Sequence, residues 1–201
     1  EPADRAHLAL DAPGMRLHFV SSRNVLDLVG GGIEEHMRQP WHERLNDGYA
    51  QSKWVAEQVV VALHERGVPC VIYRPSRIVA ASRSQGVNLD EFLNRALRAS
   101  ARLALEPGYS GADNMVPVDY AARAIVALSQ VDAGIGGAFH VQHPRETPLS
   151  LVLDRLRHRL AREGRIMGTS GRREWIDAIQ RDDPAQQPLF ALLPDRKSTR
   201  L

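Results

Sequence analysis

Two short apolar runs on either side of a helical pattern constrain this chain more than any other feature. MRLHFVSS (15–22) and VPCVIYRP (68–75) have strand length. Between them, from Ala50 to Arg66, Val55, Val59, Ala62 and Leu63 recur at helical spacing until Gly67 supplies a stop signal. A strand, a long connection containing a helix and a second strand read as a parallel crossover unit, which is right-handed in nearly all known cases. In an open parallel sheet, ligands gather at the carboxyl ends of the strands. Those ends carry Ser21 and Ser22 on the first run and Arg74, Pro75 and Ser76 on the second. Residues 23–48, with a glycine triplet at Gly30 to Gly32 and Pro40, are expected to form a loop with one short helix, overhanging the serines.

The remaining pattern continues the alternation. PSRIVAASRSQG reads as a polar loop, Leu89 to Leu103 as a helix, and MVPVDYAARAIVALSQ as a short extended piece running into a helix near Asp119, with Asp119 as its N-cap. AFHVQHP (138–144) reads as a strand ended by Pro144, followed by a basic amphipathic helix over about 149–163 and another near 172–181. The fold class is therefore α/β: the carboxyl-terminal half of a doubly wound parallel sheet with a small helical region. Residues 1–143 are assigned to the sheet domain, with substrate-side insertions at about 80–116, and 144–194 to a helical substrate subdomain. The final DRKSTRL (195–201) matches the read-through translation of a sequencing adapter and is set apart as a tail foreign to the fold.

Composition narrows the function classes. No apolar run approaches the roughly 20 residues needed to span a bilayer, so no membrane partner is expected. One cysteine, Cys70, excludes an internal disulfide framework and suits a reducing, cytoplasmic compartment; its apolar setting suits a buried structural thiol rather than a nucleophile. The formal charge of +2 is unevenly spread, with seven arginines between 155 and 173. That crowd reads as a solvated helix face rather than a nucleic-acid surface, and its one functional reading is contact of Arg155 and Arg159 with an acidic partner. His140 and His143 lack a third ligand at usable spacing, so no metal site is expected. Trp41 and Trp54 read as packing residues, with Trp54 beside the pocket.

The chemistry is concentrated in GYAQSKWVAE (48–57). Tyr49 and Lys53 stand four apart and project from one helix face. A phenol is a poor acid at neutral pH, its ordinary pKa being about 10, and an adjacent ammonium favours the phenolate. Tyr49 is thus the candidate proton donor and Lys53 its tuner, with the Ser22 hydroxyl able to hold a carbonyl oxygen as charge develops on it. These three are the candidate catalytic residues. Tyr49, Lys53, Pro75 and Ser76 are the candidate cofactor-binding positions.

At HFVSS (18–22), GYAQSKWVAE (48–57), VPCVIYRPSRIV (68–79), VPVDYAARAIVALS (116–129) and FHVQHP (139–144) the chain resembles the extended short-chain dehydrogenase/reductase superfamily. More narrowly, it resembles the thioester reductase domains of nonribosomal peptide and polyketide synthetases, aminoadipate reductases and carboxylic acid reductases. The likeness covers roughly 15–165, and SKW followed by AE is its most specific part. It implies a Rossmann-like fold and the catalytic set Ser22, Tyr49 and Lys53. It also puts Pro75 and Ser76 beside a nicotinamide and the region of Asn88 on the substrate side. The implied reaction is NADPH-dependent reduction of an acyl or peptidyl thioester, borne on a phosphopantetheinyl carrier protein, to an aldehyde or alcohol. Other extended reductases, acting on fatty acyl-CoA or sugar nucleotides, and a catalytically silent interaction module are the alternatives. The glycine-rich turn that grips the cofactor pyrophosphate belongs to the first crossover unit of that superfamily, and nothing before Met15 matches it. Gly30 to Gly32 lack its G-x-G-x-x-G spacing. The 201 residues are accordingly expected to be a fragment, inactive and poorly stable in isolation, with the first strand as an open edge.

Overall fold

A computed structural model describes residues 14–26, 35–84, 86–108 and 111–182. The glycine triplet and the 195–201 tail lie outside the described residues. The chain divides into two compact units, one formed by 1–85 with 114–144 and the other by 86–113 with 145–201.

The first unit is the crossover and its continuation. Strand β1 (Leu17–Val20) is followed by a 3₁₀ turn (Arg23–Val25) and, after the irregular residues 35–47, by helix α1 (Gly48–Glu65), which returns to strand β2 (Cys70–Pro75). β1 and β2 pair in parallel with Leu17 opposite Cys70 and Val20 opposite Tyr73. Asp47 caps α1 by accepting a hydrogen bond from the Ala50 N–H at 2.8 Å, which satisfies one of the donors a helix start leaves open. Gly67 takes a positive φ of 93° just past the helix, a conformation that costs glycine little.

The inward face of α1 differs from the apolar stripe expected from spacing. Ala50, Glu57, Val60, Val61 and Leu63 are buried, whereas Val55 is 54% exposed, Val59 39% exposed, and Ala62 is also exposed. The reason is Glu57, a charged residue at the centre of the buried face, which an apolar periodicity cannot register. Val60, Val61 and Leu63 pack with Val68, Cys70, Ile72, Met37 and Ala138, and Leu17 and Phe19 close this core from β1. Complete burial of a side chain such as Ile72 contributes about 1.5–3 kcal/mol.

After β2 the chain does not enter a loop directly, as the polar sequence suggests. Arg77–Val79 form β3, which pairs in parallel with the later strand β6 (Met115–Pro117). Helix α3 (Val118–Ser129) follows β6, and β7 (Ala138–Val141) joins β2 on the side away from β1, giving the order β1-β2-β7. All three strands run parallel, as expected. The N-cap of α3 is Pro117, not Asp119. Asp119 lies in the first turn and accepts from both the N–H and the hydroxyl of Ser82, at 2.9 and 2.7 Å. Those two bonds, ahead of a lesser contribution from Arg123, draw its pKa down to about 2.

The second unit contains helix α2 (Phe92–Leu103), the short strands β4 (Leu105–Glu106), β5 (Ala112–Asp113), β8 (Thr147–Pro148) and β9 (Gly168–Thr169), and helices α4 (Leu149–Arg162) and α5 (Arg172–Asp182). β4 pairs with β9 and β5 with β8. Glu91 caps α2 through the Leu93 and Asn94 amides, and Ala104 ends it in the left-handed region at φ 49°. Ala99, Trp175 and Ile179 form the core, and the Trp175 indole N–H donates to Ser100 Oγ at 2.9 Å.

Candidate active site

The carboxyl end of β1 and the first turns of α1 are joined by one side chain. Lys53 Nζ donates to the Val20 carbonyl at 3.2 Å and lies 5.5 Å from the centroid of the Phe19 ring. The same ammonium is 6.0 Å from the centroid of the Tyr49 ring, at the limit for a cation–π contact. Tyr49 is half exposed, so its ring is open to a ligand. The bond to Val20 uses one of three ammonium hydrogens. Two residues beyond Val20, Ser22 is in extended conformation and buried; its Oγ accepts from the Asn24 N–H at 3.2 Å and thereby caps the 3₁₀ turn. Accepting that bond occupies a lone pair and leaves the O–H as a donor. Neighbouring Ser21 continues the ladder through its N–H to Tyr73 O at 2.7 Å, while its hydroxyl is buried without a hydrogen-bond partner among the described residues.

Pro75 and Ser76 stand at the end of β2, next to β1 in the sheet. Pro75 is opposite Val141, and both the N–H and the hydroxyl of Ser76 point at the Val141 carbonyl, at 3.1 and 3.5 Å. Their described contacts run to β7 and not to Tyr49 or Lys53.

Arg74 has a different role from the one its place at the strand end suggests. It is completely buried and binds Glu57 bidentately, Nε to Oε1 at 2.9 Å and Nη2 to Oε2 at 2.8 Å. Its other hydrogens go to the carbonyls of His36 and Met37, each at 2.8 Å, and to His140 Nε2 at 3.4 Å. Five donors thus meet five acceptors, the condition under which a buried guanidinium is tolerated. His140 is the acceptor in its contact, so its proton sits on Nδ1; burial, followed by the Arg74 charge, lowers its pKa. The His140 backbone N–H donates in turn to Glu35 at 2.6 Å.

The segment 35–47 is the part of the site that sequence reasoning passed over as loop. Besides Arg74, the Trp54 indole donates to Gln39 O at 3.0 Å and Gln51 donates to Leu45 O at 2.7 Å. The Trp54 ring meets Trp41 edge-on at 5.2 Å. The available signal was the density of helix-facing polar residues, Gln51, Trp54 and Glu57, along α1. Asn88, expected on the substrate side, forms a turn ahead of α2 with Asp90 and Asn94 in the second unit. Among the described residues no group of three or more His, Cys, Asp or Glu could hold a metal ion, and no helix is long and apolar enough to cross a membrane.

The sequence profile described as Male sterility protein, an NAD-binding family, matches residues 5–125. A linear gramicidin synthase polypeptide of Brevibacillus parabrevis is 34% identical over 170 residues, 83% of this chain and 3% of that protein. L-2-aminoadipate reductase of Schizosaccharomyces pombe is 35% identical over 147 residues, 66% of this chain and 10% of that protein. Among solved structures, the terminal R domain from the myxalamid PKS-NRPS biosynthetic pathway superposes with a TM-score of 0.72 at 30% identity. That match covers 89% of this chain and 46% of that one. The chain therefore spans only a small part of the curated relatives it matches and less than half of the solved domain.

Proposed function

The chain belongs to the Male sterility protein family of NAD-binding domains, and on that premise we propose that it forms part of an NADPH-dependent thioester reductase. Its substrate is an acyl or peptidyl group held as a thioester on a phosphopantetheinyl carrier protein, and its product the released aldehyde or alcohol. The similarity to a linear gramicidin synthase, an aminoadipate reductase and a PKS-NRPS R domain supports this class of reaction. The observation that carries the chemistry is the position of the Lys53 ammonium, bonded to the Val20 carbonyl and facing the Tyr49 ring.

That donor set fits a nicotinamide nucleotide. Lys53 and Tyr49 can each bond a ribose hydroxyl, and Pro75 and Ser76 would flank the ring from the adjacent strand end. When bound, the cofactor supplies the hydride. The protein's own residues then handle charge and protons. Ser22 donates a hydrogen bond to the thioester carbonyl oxygen as it becomes an alkoxide, and Tyr49 gives that oxygen its proton. The Lys53 ammonium stabilises the phenolate that remains. The resulting hemithioacetal loses its O–H proton as the C–S bond breaks, and the departing thiolate takes up a proton to leave as the carrier thiol.

Tyr49→Phe in the full-length protein tests the assignment. Thioester-dependent NADPH oxidation should fall by about a hundredfold or more, the usual contribution of a positioned general acid. An unchanged rate would remove Tyr49 from the mechanism. The helical unit, 86–113 with 145–182, is assigned to substrate and carrier recognition, with Arg155 and Arg159, both exposed on α4, as the contacts for an acidic carrier surface.

A further inference from the structure

Ser22 and Tyr49 reach the site from different elements, a turn after β1 and the start of α1, and acid catalysis requires both on one carbonyl oxygen. The segment 35–47 touches the turn and runs into the helix. At one end it is held by the buried Arg74, through the carbonyls of His36 and Met37. At the other it becomes the helix itself, through the Asp47 cap two residues before Tyr49. Between these anchors, His42 Nε2 lies 3.1 Å from the carbonyl of Val25. A carbonyl only accepts, so this nitrogen carries the imidazole proton and donates it. Val25 is fully buried and closes the 3₁₀ turn that Ser22 caps. The other ring nitrogen, Nδ1, is buried without a hydrogen-bond partner, so nothing but the bond to Val25 fixes the ring's polar end among the described residues. Leu45, 1% exposed, donates its N–H to the His42 carbonyl at 3.1 Å and seats the residue from behind.

We infer that His42 is a positioning residue: by holding the Val25 carbonyl it fixes the turn that carries Ser22 relative to the helix that carries Tyr49. The inference rests on the reductase reading above. It assigns His42 no contact with substrate. Its loss moves one half of the site against the other, and a displacement of about 1 Å at reacting groups can cost on the order of a hundredfold in rate.

The experiment compares His42→Leu with His42→Gln in the full-length protein. The glutamine amide can replace the Nε2 donor. Leucine cannot. His42→Leu should lower kcat by about ten- to a hundredfold with KM nearly unchanged, and His42→Gln should restore most of it. Amide exchange at Asn24 and Val25, measured by mass spectrometry, should accelerate in His42→Leu and return towards wild type in His42→Gln. Should His42→Leu fail to fold, His42→Asn, whose shorter amide falls short of Val25, takes its place. A kcat within about twofold of wild type, or equal losses in the leucine and glutamine variants, would overturn the inference. Unchanged exchange at the turn would do the same. Tyr49→Phe run in parallel separates the two readings: full activity there removes the reductase mechanism, whereas the exchange arm still decides the role of His42.

Discussion

Arg74, in the sheet unit, and Arg157, in the helical unit, hold their acceptors in different surroundings. Arg74 and Glu57 are both entirely buried, and every hydrogen of the guanidinium is matched. Arg157, its side chain 40% exposed, pairs with Asp154, 51% exposed, and with Glu106, 11% exposed. Water reaches Arg157 and can replace Asp154, whereas Glu106 is itself buried. Nothing replaces Glu57, so the same residue type serves as a half-exposed clasp in one unit and as a fully buried structural centre in the other.

The same substitution should therefore separate the two. Arg74→Met leaves Glu57 as an uncompensated buried carboxylate and frees two loop carbonyls, and should lower unfolding free energy by about 3–5 kcal/mol. The denaturant midpoint measures this, and adding Glu57→Leu should recover a large share of the loss. Recovery would show that the orphaned charge, not the missing packing, carries the effect.

Acid sharpens the contrast further, because His140 ties the Arg74 network to pH. Its folded pKa lies below the ordinary 6.5, chiefly through burial and then through Arg74. Between those two values the unfolded chain binds the proton more readily. The stability His140 contributes is thus complete above about pH 6.5 and is lost as pH falls through the lower folded value. Melting temperature followed from pH 7.5 to 5 should decline, and should decline less in His140→Gln. A smaller loss than that of Arg74→Met is expected for Arg157→Met, about 1–3 kcal/mol, because water takes over the exposed Asp154 while Glu106 is left largely buried. A loss comparable to that of Arg74→Met would abolish the distinction between the units.

Much of both units was legible because the signals are local. The runs 15–22 and 68–75 contain β1 and β2, the helical spacing after Gly48 contains α1, and the regions expected for α2, α4 and α5 differ from the observed bounds by a few residues. What escaped was set by partners distant in sequence. Val55, Val59 and Ala62 formed a plausible apolar stripe, but Glu57 faces inward because Arg74, 17 residues on, waits for it. Arg77–Val79 reads as polar loop until Met115–Pro117 offers a parallel ladder. Asp119 looks like a cap from its neighbours and is instead claimed by Ser82. Within the candidate site, Tyr49 and Lys53 were visible through their spacing. The bracing of the turn that follows Ser22 by His42 was not, since it joins two irregular segments that share no periodicity.

Cys70 has a consequence of a practical kind. It is the sole cysteine of the sequence, fully buried in the core beneath α1, and burial pushes its thiol pKa up to about 11. Alkylating reagents attack thiolates, so at neutral pH the folded protein should be nearly inert to them, and modification must wait until β1, β2 and α1 part. The chain thus carries its own clock for global opening. The rate of a single mass increment reads how often the sheet unit comes apart, with no engineered label.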